Sequence, residues 1–150
     1  MRTIAMAVAI GLVAGVSATA GTLSPGDVTF QDGAVAKSLT GVAGDPVKGK
    51  DWFTGRKLGN CLACHENSDA KNESFHGEVG PILDGVADRW SEAELRGIVA
   101  NAKMTFDGTI MPAFYKDSGY TRPLEKFDGK TILNAQQVED IVAYLLTLKE

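Results

Sequence analysis

Both cysteines of the chain and one of its two histidines fall within five consecutive residues, Cys61-Leu62-Ala63-Cys64-His65. On one helical turn, positions i, i+3 and i+4 project from the same face. Two thiols so placed reach a pair of vinyl groups as thioethers, and the adjacent imidazole is aimed at an iron. Cys-x-x-Cys-His is the attachment signature of a c-type haem. Cys61 and Cys64 are therefore the expected covalent anchors of one haem c, and His65 its expected proximal ligand. Other uses fit less well. A thioredoxin-like dithiol needs a preceding strand and a β-α-β context, which the sequence does not offer. A zinc site needs four ligands. Cys61, Cys64, His65 and His76 are all the cysteines and histidines present, and adjacent Cys64 and His65 make a poor tetrahedral pair. A simple disulfide leaves His65 without a role.

An iron held by His65 has a second axial position. A methionine thioether there raises the reduction potential relative to a second imidazole. Past residue 20 the methionines are Met104 and Met111. Met111 precedes Pro112, which stiffens the chain beside a ligand, so Met111 is the expected distal ligand. Met104 and His76 are the other candidates, and His76 has only eleven residues of tether from His65. The stretch Gly80-Pro81-Ile82-Leu83-Asp84-Gly85 has two readings. It is either a simple proline turn, or it brings the Pro81 carbonyl to the Nδ1 proton of His65, the support that metal-ligating histidines usually receive. No catalytic residue is expected. With both thiols consumed, nothing remains to carry a sulfur adduct or to supply a thiolate. A sulfur-ligated, six-coordinate iron has no vacant position for substrate. The pattern is that of a one-electron relay.

These residues need elements to hold them. Asp45 and Pro46 suit the N-cap and first turn of a helix, expected to run to about Leu58 and stop at Gly59-Asn60. Ser91 and Glu94 form a capping box, with Trp90 and Leu95 placed as a hydrophobic staple. Leu95, Ile98, Val99 and Ala102 follow as one buried face. Asn134 and Gln137 form a second capping box, stapled by Leu133 and Val138, and Ile141, Val142, Leu145 and Leu148 continue its stripe. No alternation of period two appears, so the expected class is all-α. Lys103 to Lys130 holds five glycines and prolines and reads as one long ordered loop, a length that usually serves function. Three short helices bury little area, and the usual remedy at this size is a cofactor in the middle.

The ends and the charge set the context. Arg2, the apolar run Ile4 to Val16 and Ser17-Ala18-Thr19-Ala20 form a secretory signal peptide, residues 1–20, with cleavage expected after Ala20. Thirteen helical residues rise only about 20 Å, short of a hydrocarbon core of about 30 Å. The mature chain is expected in the periplasm, an oxidising compartment. Residues 21–44, rich in Gly, Thr, Ser and Asp, read as an irregular arm, either a flexible leader or a segment packed on the domain or a partner. Residues 45–150 form the expected single domain. Fifteen basic against 19 acidic residues give a charge of −4, which disfavours nucleic-acid binding. Lys48, Lys50, Arg56, Lys57 and Lys71 form either a docking rim or a solvated face.

The Cys-x-x-Cys-His motif, the Gly-Pro-x-Leu-x-Gly turn at Gly80 to Gly85, the Met111-Pro112 loop and the C-terminal helix with Tyr144 together resemble class I cytochromes c, over about Asp45 to Lys149. The resemblance implies helices and long loops wrapped around one covalent haem. It also implies a crossing of the first and last helices, with Gly49 and Phe53 against Tyr144 and Leu145. Phe53 stands eight residues before Cys61, about a turn more than in the smallest members. Further strings are similar to the SoxX family, the small haem subunits of SoxAX cytochromes. They are Gly59-Asn60 ahead of Cys61, Thr109-Ile110-Met111-Pro112-Ala113-Phe114-Tyr115, Gly129-Lys130-Thr131-Ile132-Leu133, Ala135 to Tyr144, and Ser38-Leu39-Thr40-Gly41 before Gly44-Asp45-Pro46. That resemblance implies a SoxA-like haem partner that couples thiosulfate oxidatively to a carrier-protein cysteine. This chain would then be the non-catalytic subunit that passes electrons towards a soluble cytochrome. The competing functions are a free diffusing electron carrier and a gas-binding haem sensor.

Overall fold

The computed structural model describes residues 21–150; the expected signal peptide lies outside the described residues. Among the described residues four α-helices carry the fold: α1 Pro46–Thr54, α2 Val86–Arg89, α3 Glu92–Asn101 and α4 Ala135–Leu145. Among the described residues there is no strand, only an isolated bridge between Gln31 and Ala34. No described helix is long and apolar enough to cross a membrane.

The helix starts follow local chemistry. Asp45 Oδ1 accepts from the amides of Val47 (3.0 Å) and Lys48 (3.3 Å) ahead of α1. Both capping boxes form, Ser91 with Glu94 and Asn134 with Gln137. Helix α1 ends earlier than its apolar pattern implies, because Gly55 turns to extended backbone after Thr54. The short α2 has no counterpart among the sequence expectations. It starts at Gly85, whose φ of 65° favours glycine. Trp90 packs edge-on against Phe106, with ring centroids 5.8 Å apart.

Helices α1 and α4 cross in close contact. A Cβ at Gly49 would run into the Asp140 carbonyl and come within 2.8 Å of Tyr144 Cβ, so only glycine allows this approach. Phe53 meets Tyr144 edge-on at 5.4 Å. Leu39, Leu133, Val138, Ile141 and Val142 fill the core around the crossing.

Residues 21–44 are irregular but packed, and Val35 and Leu39 are fully buried. Leu39 N donates to Glu139 Oε1 at 2.6 Å, and Arg96 Nη1 donates to the Val35 carbonyl at 3.0 Å. Arg96 and Glu139 are themselves a buried ion pair, Nε to Oε1 at 2.9 Å. A buried pair needs its remaining hydrogen-bonding capacity satisfied, and the arm's backbone does this.

Candidate haem attachment site

Cys61–Ala63 form a single 3-10 turn, entered through Asn60 at φ 48°. Cys64 N and His65 N both donate to the Cys61 carbonyl, at 3.0 and 2.9 Å, which sets the two thiols and the imidazole on one tight turn. Both thiols are free of a disulfide. Burial pushes the Cys61 thiol up to about 12.

The segment after this turn is stitched to it. Gly77 N donates to the Leu62 carbonyl (2.7 Å), Gly80 N to Cys64 (2.7 Å) and Leu83 N to Glu66 (3.0 Å). Asp84 accepts from Ser68 N at 2.8 Å and Ser68 Oγ at 2.6 Å. These bonds bring Pro81 to His65, and His65 Nδ1 lies 2.8 Å from the Pro81 carbonyl oxygen. With the proton on Nδ1, Nε2 keeps a free lone pair for an iron. Gly80 leaves room for the ring, since a Cβ there would sit 2.7 Å from His65 Nδ1 and 2.9 Å from Nε2.

The other candidate ligands separate by their surroundings. Both ring nitrogens of His76 are engaged with backbone, Nδ1 with Asn67 N (3.3 Å) and Nε2 with the Ala70 carbonyl (3.1 Å). Met104 is 51% exposed at the end of a 3-10 turn after α3. Met111 is partly buried against the core. Its amide donates to Thr109 Oγ1 at 3.2 Å, and its carbonyl accepts from Lys103 Nζ at 2.7 Å. Lys103 Nζ also holds the Thr109 carbonyl at 3.0 Å. Phe114 and Tyr115 are core residues, and Trp52 Nε1 donates to Asp140 Oδ2 at 3.4 Å.

A network missed by sequence reasoning backs the attachment turn. Asn67, wholly buried, donates through Nδ2 to Tyr144 Oη at 2.9 Å, and Tyr144 donates to Asp69 Oδ2 at 2.9 Å. Asp69 also pairs with Lys50 at 2.8 Å. The Lys50 hydrogen bond, then that of Tyr144, holds the Asp69 carboxyl below the usual carboxylate range. Burial and the bond to Asp69 push the Tyr144 hydroxyl up. Lys50, and Lys48 with Asp45 at 3.6 Å, are thus engaged within the chain, while Arg56 lies over the Phe75 ring at 4.9 Å.

The residues present fit a covalent haem and not a bare metal. Among the described residues no group of three His, Cys, Asp or Glu side chains gathers to complete a zinc set. Two free thiols and an imidazole held with Nε2 free match the thioether and axial donors of a c-type haem. Large apolar side chains stand exposed in the segments around Pro81 and before Met111: Phe75, Val79 and Ile82, then Met104, Phe106 and Ile110. Exposed apolar side chains of this kind can be covered by another apolar body.

The chain belongs to the cytochrome c family, whose model matches residues 46–149. Its cofactor is haem c and its fold that of the class I cytochromes c. Among solved structures it is similar to a chain described as the crystal structure of SoxXA from P. pantotrophus. The two are 53% identical, the match covers 86% of this chain and 99% of that one, and the TM-score is 0.81. No curated protein sequence matches the chain.

Proposed function

We propose that this chain is the electron-transfer subunit of a SoxAX-type cytochrome. In that assembly a SoxA-like haem partner couples thiosulfate oxidatively to a carrier-protein cysteine, and this subunit passes the electrons on to a soluble cytochrome. The observation that carries the reading is the 53% identity to a chain of SoxXA, extending over 99% of that chain. Residues 1–20 are a cleaved signal peptide that delivers the subunit to the periplasm. Residues 21–44 are an arm on the domain of residues 45–150.

Cys61 and Cys64 would hold the haem as thioethers, and His65 and Met111 would supply the protein's donors to its iron. When bound, the haem supplies a one-electron couple whose potential a thioether ligand raises. The chain's own residues do the rest. Pro81 keeps the His65 proton on Nδ1 and the ring in one orientation. Lys103 gathers the carbonyls of Thr109 and Met111. With both thiols consumed the chain has no nucleophile for sulfur, so bond making belongs to the partner.

Purification of the native protein from thiosulfate-grown cells tests the reading. A denaturing gel stained for haem is expected to show this chain and a larger haem-bearing chain. Elution as a lone haem-bearing monomer contradicts it and favours the free carrier.

A further inference from the structure

We propose that the N-terminal arm is a strap that positions the distal ligand, and that Tyr115 and Gly33 are the positioning residues through which it acts. The inference rests on the reading of Met111 as that ligand.

Met111 sits in the irregular segment between Thr105 and Tyr115, and the arm touches that segment at both ends. At its start, Gly33 lies against Thr105 and Met104. A Cβ at Gly33 would run into Thr105 Oγ1 and come within 3.2 Å of the Met104 carbonyl oxygen, and the backbone there has a φ of 83°. At its end, Tyr115 Oη donates to the Leu23 carbonyl at 2.5 Å. Between these points the arm is fixed to itself and to the helices. Leu23 N donates to Leu39 O at 2.7 Å, and Val35 N to Ala93 O at 2.8 Å. Leu39 N and Val35 O bind the two members of the Arg96–Glu139 pair. Helix α3 carries the same contact from its other side, since a Cβ at Gly97 would run into the Gly33 carbonyl.

Inside the segment the restraints are local: Lys103 on Thr109 and Met111, Thr109 on Met111, and Tyr115 N on the Ala100 carbonyl at 2.9 Å. A loop with few buried contacts opens more readily than the core around it. Fixing both of its ends lowers the entropy of the open state and so its population. The strap therefore acts on the frequency with which Met111 leaves its position, and not on the chemistry of the sulfur.

Cyanide binding to the ferric holoprotein measures that frequency, because cyanide enters only when the sulfur has left and the exchange of ligands changes no oxidation state. Y115F removes one hydrogen bond and almost no volume; G33A pushes on Thr105. Both are expected to bind cyanide about tenfold faster than the native protein, the change one net hydrogen bond produces. Amide exchange in residues 105–115 is expected to quicken by about the same factor, with the amides of α4 unchanged. M111A separates the two readings. Slow cyanide binding in M111A overturns Met111 as the ligand. Fast binding in M111A with native rates in Y115F overturns the strap alone. If G33A does not accumulate as holoprotein, Y115F decides.

Discussion

The two sides of the haem site are built by different means. The His65 side is a short-range construction: the proposed ligand, the proposed attachment thiols and the Pro81 carbonyl all lie between Cys61 and Asp84, joined rung by rung through Gly77, Gly80, Leu83 and Ser68. The Met111 side is a long-range one. Its segment is bounded by contacts to Gly33 and Leu23, the latter 92 residues from Tyr115 in the chain, and the arm depends on Glu139, 100 residues from Leu39. Local stitching forms with the turn itself, whereas long-range anchoring exists only once the whole domain has closed. The His65 side should therefore persist under perturbations that release the Met111 side.

Three substitutions break or sharpen this contrast. The largest effect belongs to G80A, whose Cβ collides with the His65 ring. Since overpacking here displaces the proposed ligand itself, the yield of haem-bearing protein should fall by about tenfold or more, checked by the ratio of haem absorbance to protein. E139L comes next. It leaves Arg96 buried without its main partner, with both side chains 4% exposed, and costs about 3–5 kcal/mol in denaturant unfolding of the holoprotein. Arm amides at Val35 and Leu39 should lose protection first.

Y144F has the smallest effect of the three. It strips the buried Asn67 amide of its acceptor, a loss of about 1–3 kcal/mol. Asp69 gives part of that loss a pH dependence. A carboxyl whose folded value is lowered contributes stability above its unfolded value, and loses it as the pH falls through the folded one. The gap between native and Y144F proteins should therefore narrow in unfolding curves recorded below the ordinary Asp value of about 3.9. The narrowing is small, because Asp69 is half exposed.

What the sequence revealed follows the same division. The tight turn that gathers Cys61, Cys64 and His65, both capping boxes and the Asp45 cap were legible because each is decided within a few residues. The Gly49 approach and the Phe53–Tyr144 contact came from family resemblance, and the crossing bears them out. The end of α1 was overshot because apolar spacing persists past Gly55, where the backbone turns away. Composition left the arm undecided between leader and packed segment. What holds it is Arg96 and Glu139, two charged residues of a kind rarely buried unless paired, which the fold buries. Asn67 escaped notice for the same reason, since its partner Tyr144 lies 77 residues away.

If His65 and Met111 both ligate the haem iron, as proposed, the chain is a relay and not a ligand-binding site. Carbon monoxide added to the reduced native protein tests it most directly. The visible spectrum of the native protein is expected to stay unchanged, and that of M111A to shift immediately. A rapid shift in the native protein, or none in M111A, would contradict it.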